Sequence, residues 1–259
     1  MRFPEKVAIV TGGAGGVGRT LVRKLTHEGA AVMIADVSAE GSGSLAKEVE
    51  AAGATVAFEA GDLRERSYCE HVVARTVERF GGVDILINNA GIMFEHSLSR
   101  LRVEEWDLMM AVNLGAPLFL AQAALPQMRD RGGGSIVNIG SIEGLGANPG
   151  PTAYCASKAG IHGMTRAMAV DLGEDNIRCN AIAPGWITSE LSEKYLASHA
   201  DPDAARDALN RLHPLGRVGR PTDVGDLAVY LAGDGSRSLT GKTVVLDGGR
   251  TAKLPMPSS

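Results

Sequence analysis

The sequence predicts an α/β fold, a doubly wound parallel sheet of about seven strands with helices on both faces, formed by residues 1–259 as a single domain. Short β-branched runs alternate with stretches of helical periodicity along almost the whole chain. A glycine-rich turn joins the first of these runs to the first helix. Polar residues suited to ligand binding follow several of the runs, and ligands bind outside the carboxyl ends of strands in such sheets.

The composition argues against several classes of protein. A formal net charge of −4 disfavours a nucleic-acid-binding surface. The apolar run near the N-terminus is too short for a membrane span and lacks the layout of a signal peptide. Cys69, Cys155 and Cys179 are an odd number of cysteines without metal-ligand spacing. We therefore expect a cytoplasmic protein with reduced thiols, no metal site and no nucleic-acid or membrane partner.

The first predicted strand, Val7–Val10, leads into the glycine-rich turn Thr11–Gly18. An apolar stripe from Val17 to Leu25 then predicts a helix. A turn of this kind brings backbone N–H groups to an anion at the positive end of the helix dipole. Because side chains would hold a pyrophosphate away from the backbone, the glycines favour a dinucleotide site.

A second predicted strand, Ala31–Ala35, ends at Asp36, which follows Gly18 by 18 residues. A carboxylate that binds the ribose 2′-hydroxyl is expected roughly 20 residues after the glycines. Such a carboxylate repels a 2′-phosphate, and no Lys or Arg lies between Gly12 and Gly18. We therefore expect NAD rather than NADP, although Arg19 lies just inside the helix. The alternative for Asp36 is an acidic loop residue or a partner of a helix N-cap.

A weakly periodic helix precedes the third predicted strand, Thr55–Ala60, and a stronger helix separates that strand from the fourth, Val83–Ile87. Asp62 follows the third strand. Its carboxylate can accept a hydrogen bond from an adenine amino group or cap the next helix, and the sequence favours neither. Asn88–Gly91 follows the fourth strand, where asparagine tolerates tight turns and ties neighbouring strands together. The small residues of that segment leave room for a flat ligand.

A long helical stretch is predicted from about Val103 to Arg129, and it contains Asn113 and Pro117. Since proline has no N–H, the carbonyl of Asn113 loses the helical partner four residues further on. A freed carbonyl within a helix takes a water or marks a kink. We therefore expect a kink or a bound water at Asn113.

A fifth strand, Ser135–Ile139, leads through Ser141 and a Gly- and Pro-rich loop into a helix that carries Tyr154 and Lys158. Residues four apart lie on one helical face, which places the ammonium close to the phenol. Tyrosine has an ordinary pKa of about 10, and a nearby positive charge lowers it toward neutral pH. The pair is therefore suited to proton exchange. Ser141 can offer its hydroxyl to the same substrate oxygen if the chain folds back over the helix.

A sixth strand, Ile177–Ala183, continues into the segment Pro184–Thr188. Residues 188–221 are polar, irregularly helical and not required by the strand–helix alternation, which is typical of a substrate loop or lid. The last predicted elements are a helix, a seventh strand and a tail: Thr222–Leu231, Lys242–Leu246 and residues 250–259.

Taken in order, these motifs resemble those of the short-chain dehydrogenase/reductase family, and the resemblance extends from Lys6 to Gly249. It rests on Thr11-Gly12-x-x-x-Gly16-x-Gly18, Asn88-Asn89-Ala90-Gly91, Asn113, Ser141, Tyr154-x-x-x-Lys158 and Pro184-Gly185. It implies a Rossmann fold and an NAD(P)-dependent alcohol/ketone oxidoreductase in which Tyr154 is the acid/base. Lys158 would bind the nicotinamide ribose and lower the tyrosine pKa. Ser141 would polarise the substrate oxygen, and Asn113 would hold a water linked to Lys158.

The resemblance also implies the cofactor contacts and the assembly. We expect a homotetramer in which the helices of Asn113 and Tyr154 pack across one interface, and we expect Thr188 to contact the nicotinamide carboxamide. Cys155 and Leu246 depart slightly from the family pattern without affecting the chemistry. The expected cofactor-binding residues are Gly12, Gly16, Val17, Gly18, Asp36, Asp62, Leu63, Asn89, Ala90, Gly91, Tyr154, Lys158, Pro184, Gly185, Ile187 and Thr188.

Two other functions remain open, since a fold does not determine a function. One is a non-catalytic dinucleotide-binding sensor or scaffold, which an intact Ser-Tyr-Lys-Asn set disfavours. The other is an epimerase or dehydratase using bound NAD, which the small size of segment 188–221 disfavours. The substrate is a small-molecule alcohol or ketone, and a polyol, a steroid, a cyclic ketone and an acyl thioester all remain possible. The candidate pocket residues are His96, Glu143, Leu145, Asn148, Trp186, Leu191 and Tyr195.

Overall fold

The computed structural model describes residues 1–254, apart from the side chains of residues 190 and 191. The strands are β1 Val7–Thr11, β2 Ala31–Asp36, β3 Val56–Ala60, β4 Ile85–Asn88, β5 Gly134–Ile139, β6 Ile177–Pro184 and β7 Thr243–Leu246. They form one parallel sheet in the order β3-β2-β1-β4-β5-β6-β7. The strand order reverses between β1 and β4, and ligands of doubly wound sheets bind at such a point.

Nine α-helices connect and cover the strands in the part of the chain that the structure describes. They are α1 Gly16–His27, α2 Ala39–Ala51, α3 Arg66–Phe80, α4 Val103–Met110, α5 Ala116–Asp130, α6 Thr152–Asp171, α7 Glu190–Ala197, α8 Pro202–Arg211 and α9 Pro221–Ala232. The predicted fold class is therefore confirmed. The strand bounds differ from the predicted ones by one or two residues, as is usual where propensity changes gradually.

Two apolar layers enclose the sheet, and successive residues of β1 face opposite layers. Val10 packs with Leu21 and Leu25 of α1. Ile9 packs with Leu120 of α5 and Met128 on the other face of the sheet. Helices therefore cover both faces, and the residues at the strand ends are left free to form a site at the carboxyl edge.

The helix α9 packs against α1, although the two are far apart in the sequence. Val224 and Ala228 belong to the same apolar layer as Leu21. At the contact, Lys24 pairs with Asp226. The first and last helices of the sheet therefore cover the same face together.

The long helical stretch Val103–Asp130 has the length and apolar composition of a membrane span. In the folded chain one side of this stretch packs in the core, where Met109, Leu120 and Met128 are fully buried. The buried side includes Leu120 and Met128, which pack with Ile9 of the sheet.

The predicted tail begins with ordered structure. Arg250–Ala252 forms a 3-10 turn directly after β7 and its loop. Residues 255–259 lie outside the described residues.

Candidate active site

The glycine-rich turn lies at the carboxyl end of β1 and fits closely against the end of β4. Gly12 has a φ of +62°, and a Cβ there would lie 2.9 Å from the Cα of Ala90. A Cβ at Gly18 would overlap the carbonyl oxygen of Gly12. The side-chain amide of Asn89 donates to the carbonyls of Thr11 (2.9 Å) and Gly12 (3.1 Å). The predicted tie between strands through Asn89 is therefore confirmed, and the backbone forms a cradle at the start of α1.

The carboxylate of Asp36 lies beside this turn and is held by two backbone groups. One oxygen accepts from the N–H of Ala14 and the other from the N–H of Ser38, each at 2.9 Å. Each oxygen keeps a lone pair for a ribose hydroxyl. The guanidinium of Arg19, the nearest basic candidate for a 2′-phosphate, binds Glu48 at 3.1 Å. The cradle and the carboxylate together fit a dinucleotide.

Asp62 does not cap the next helix, because the N-cap of α3 is Glu65. Its carboxylate accepts from the backbone N–H of Arg64 (2.9 Å) and from the Nε of the same residue (2.7 Å). The hydrogen bond from the Arg64 side chain lowers the pKa of Asp62. The adenine contact stays a prediction. Three other predicted contacts lie nearby, Gly16 and Val17 in the first turn of α1 and Leu63 buried beside Asp62.

Tyr154 and Lys158 lie on the face of α6 that packs against the end of β5. The Nζ of Lys158 donates to the carbonyl of Ile139 at 2.8 Å and lies 5.6 Å from the centre of the Tyr154 ring. Ser141 follows β5, and its Oγ accepts from the N–H of Glu143 at 3.1 Å. This contact uses only the oxygen of the serine and leaves its hydrogen to be donated to the phenol of Tyr154 or to a substrate. The structure brings the three residues together as the sequence predicts.

The proton affinities at this site differ from the expectation. Burial raises the pKa of Tyr154 to about 12, and a hydrogen bond from Ser141 opposes this only in part. Burial also lowers the pKa of Lys158 to about 8. The space is tight, since a Cβ at Gly91 would lie 3.4 Å from the Lys158 Nζ. The expected fall of the tyrosine pKa is therefore not observed in this structure, because burial is the largest cause of the shift and the charge of Glu143 acts in the same direction.

Asn113 connects the loop after β4 with the helix of Tyr154. Its amide exchanges two hydrogen bonds of 2.9 Å with the backbone of Ile92. It also donates to the Oγ of Ser157 at 3.1 Å, and that hydroxyl donates to the carbonyl of Tyr154 at 2.8 Å. Both N–H groups of the amide are therefore used in positioning, its oxygen accepts one hydrogen bond, and the water at Asn113 stays a prediction.

The expected kink takes the form of a π-helical turn over Ala111–Gly115. The N–H of Ala116 donates to the carbonyl of Ala111, five residues earlier. Pro117 is buried in the first turn of α5, where its missing N–H breaks the α-helical register. The irregular turn places Asn113 toward α6.

The segment after β6 is tied to the loop that precedes α9. The N–H of Gly185 donates to the carbonyl of Leu246 at 2.9 Å. Both the N–H and the hydroxyl of Thr188 donate to the carbonyl of Gly219 at 2.9 Å. Ile187 forms a bridge with the same glycine. The Thr188 oxygen can therefore accept from a carboxamide, while its hydrogen is engaged.

The segment predicted to be a lid contains α7 and α8, which a bidentate ion pair joins. Arg206 binds Glu193 through both nitrogens, at 3.0 and 2.6 Å. Trp186 packs against Tyr195, with ring centres 5.2 Å apart. Among the other predicted pocket residues, Leu145 is exposed, His96 binds the buried Glu105 at 2.8 Å, and the side chain of Leu191 lies outside the described residues.

The segment after β7 contacts both the loop of Ser141 and the end of α8, which the sequence did not indicate. Arg250 donates to the side-chain oxygen of Asn148 at 3.2 Å, and Asn148 in turn donates to Glu143. Lys253 donates to the carbonyl of Arg211 at the end of α8, at 3.3 Å. The chain beyond the last strand therefore joins the loop of Ser141 to α8.

Comparisons with known proteins agree with this geometry. A family model described as enoyl-(acyl carrier protein) reductase matches residues 12–251. The 3-oxoacyl-[acyl-carrier-protein] reductase FabG of Thermotoga maritima is 40% identical over 96% of this chain and 99% of its own. The 7alpha-hydroxysteroid dehydrogenase of Bacteroides fragilis is 35% identical over 98% of this chain and 97% of its own.

A crystal structure shows the same fold. The short-chain dehydrogenase/reductase from Burkholderia xenovorans superposes with a TM-score of 0.92 at 32% identity, covering 98% of this chain and 99% of its own. The chain belongs to the short-chain dehydrogenase/reductase family of nicotinamide-dinucleotide-dependent oxidoreductases.

Proposed function

We propose that the protein is an NAD(H)-dependent oxidoreductase that interconverts a secondary alcohol and a ketone, with Tyr154 as the acid/base. The observation that carries the proposal is the half-buried phenol on one helical face with Lys158, close to Ser141 and at the same sheet edge as Asp36. A nicotinamide bound there supplies the hydride acceptor or donor. The residues of the protein transfer the proton and orient the substrate and cofactor.

The residues divide the work as follows. In oxidation, the Tyr154 phenolate takes the hydroxyl proton of the substrate, and in reduction the phenol returns it. Ser141 donates its hydrogen to the same oxygen. Lys158 uses one N–H on Ile139, which leaves two for ribose hydroxyls. Burial raises the pKa of Tyr154 to about 12, and the positive charge of an oxidised nicotinamide would favour the phenolate.

The cofactor assignment gives the first prediction. Because the Asp36 carboxylate would bind a ribose diol and repel a 2′-phosphate, kcat/KM should favour NAD over NADP by roughly tenfold or more. Asp36→Ala should narrow the gap, and steady-state kinetics with both cofactors measures it. Arg19→Gln is the control, since Arg19 is engaged by Glu48 and its loss should leave the preference unchanged. Equal use of both cofactors by the unaltered protein would overturn the assignment.

Pro117 gives a second prediction. Pro117→Ala restores an N–H that competes for the Asn113 carbonyl, which we propose holds the water that passes protons toward Lys158. We expect a lower kcat with nearly unchanged NADH affinity and near-native folding. Kinetics beside size-exclusion chromatography tests this. An unchanged kcat in an intact oligomer would show that the proline serves only the shape of the helix.

The substrate class requires a screen. Relatives of this chain are named for acyl-carrier, steroid, cyclohexadiene-diol and hydroxybutyrate substrates. A panel of these alcohols and ketones with NAD and NADH, followed by NADH absorbance, separates them. Net NADH turnover supports the oxidoreductase. A non-catalytic sensor would bind NADH without turnover, and an epimerase or dehydratase would change its substrate without net NADH.

We also propose a cytoplasmic homotetramer in which the helices of Asn113 and Tyr154 pack across one interface. Family resemblance supports it, as does the exposure of apolar side chains on α4, α5 and α6, which include Trp106, Leu118 and Val170. Light scattering measures the mass. A monomer at working concentration would contradict the assembly.

A further inference from the structure

His162 is a buried residue on the catalytic helix that the proposed mechanism does not use. It lies four residues after Lys158 and eight after Tyr154, so the three side chains form one column on α6. Only 3% of its surface is exposed. Neither ring nitrogen has a hydrogen-bond partner among the described residues. Since buried polar atoms are seldom left unpaired, the position of this ring calls for an explanation.

Two glycines of the segment that carries Ser141 make room for the ring. A Cβ at Gly140 would overlap the His162 Nε2 and lie 2.9 Å from its Cδ2. A Cβ at Gly144 would lie 2.7 Å from its Cε1. Gly140 precedes Ser141 directly, and Gly144 ends the 3-10 turn Ile142–Gly144. The imidazole therefore fills a cradle on both sides of the serine.

Each of the three side chains in the column on α6 contacts a different residue of the segment that carries Ser141. Lys158 binds the carbonyl of Ile139 at 2.8 Å, immediately before the cradle. The hydroxyl of Ser141 lies close enough to the phenol of Tyr154 to lower its pKa. Neither nitrogen of His162 reaches a group of the segment with hydrogen-bond geometry, so the ring acts there through its volume. Burial lowers the pKa of His162, the charges of Lys158 and Arg166 act in the same direction, and the nearby backbone of Gly144 opposes them.

We propose that His162 is a positioning residue that sets the distance of Ser141 from Tyr154 by wedging the segment 140–144 away from α6. The inference rests on the proposed function, because it acts through the Ser141 hydroxyl. Without the wedge the segment can settle toward the helix, and the two groups no longer meet the same substrate oxygen. Displacements of about 1 Å in such a pair reduce rates by up to roughly 10².

The test is a set of variants assayed with the alcohol or ketone that the wild type turns over. His162→Ala should lower kcat by roughly tenfold or more with little change in NADH affinity, measured by fluorescence titration. In a Ser141→Ala background the same change should alter kcat by no more than about twofold, because the serine is no longer there to be misplaced. Effects that instead multiply in the double variant would overturn the proposal.

Filling the space again should restore the rate. His162→Leu retains volume without a titratable group and should keep most of the activity. Gly140→Ala should be impaired alone, since its methyl overlaps the ring, but improved by His162→Ala, which vacates that place. A melting temperature that falls in His162→Ala with kcat and KM unchanged would show a merely structural role. A wild type without any turnover would refute the proposed function itself, which keeps the two failures distinct.

Discussion

Replacing Tyr154 with phenylalanine should reduce turnover by roughly 10² or more, the usual scale for loss of a general acid or base. The change removes one oxygen and keeps the half-buried ring, whose centre lies 5.6 Å from the Lys158 Nζ. NADH binding should survive, because the glycine cradle and Asp36 are untouched. Stopped-flow or steady-state kinetics, with NADH fluorescence for binding, measures both quantities.

The pH dependence provides a second readout for the same variant. Burial raises the pKa of Tyr154 to about 12, so alcohol oxidation, which needs the phenolate, should speed up as the pH rises. The residual rate of Tyr154→Phe should lack this rise. More than about a tenth of the wild-type rate in the variant would assign the proton transfer to another acid.

Gly18→Ala should destroy the dinucleotide site. The added methyl would overlap the carbonyl oxygen of Gly12 and lie 2.8 Å from the Cα of Gly13. These are backbone atoms that no rotamer change can move. Overpacking of this kind costs about 1–3 kcal/mol, and each kcal/mol lowers the melting temperature by about 2–4 °C in a chain of this size. NAD affinity should fall by roughly tenfold or more, or about 1.4 kcal/mol.

Gly15→Ala is the matched control for that variant. It lies in the same turn, has a negative φ of −116°, and a Cβ there would meet no atom within 4 Å. Calorimetry and NAD titration of both variants should show a loss only for Gly18→Ala. Similar behaviour of the two would mean that the turn adapts and that the close approach of Gly18 to Gly12 has no role in binding.

The sheet could be predicted because each strand carries its own signal. The sequence of Ala31–Asp36 is an apolar run that ends in a carboxylate, which predicts a buried strand. In the structure the centre of this strand is buried. The proximity of the Tyr154 and Lys158 side chains could also be predicted, because it depends only on their spacing of four residues along a helix. Features set by one short segment were thus accessible from the sequence.

Features that depend on the meeting of distant segments were not accessible. The contact of Arg250 with Asn148 joins residues 102 apart, and nothing in either segment indicates the other. His162 follows Lys158 by four residues, as Lys158 follows Tyr154, so the sequence alone could have placed the three side chains on one helical face. The cradle that Gly140 and Gly144 form around the ring is visible only in the folded structure. The raised pKa of Tyr154 likewise depends on burial, which local spacing does not report.

The packing of α9 on α1 has a consequence for synthesis of the chain. The apolar face of α1, with Leu21 and Leu25, is completed only by Val224 and its neighbours near the C-terminus. At about 5–20 residues per second, a ribosome needs roughly 10–40 s to reach α9 after finishing α1. During that interval the nascent chain exposes an uncovered apolar surface, and chaperones that bind such surfaces have time to act. Truncation before α9 should therefore yield an aggregating chain rather than an independent nucleotide-binding fragment.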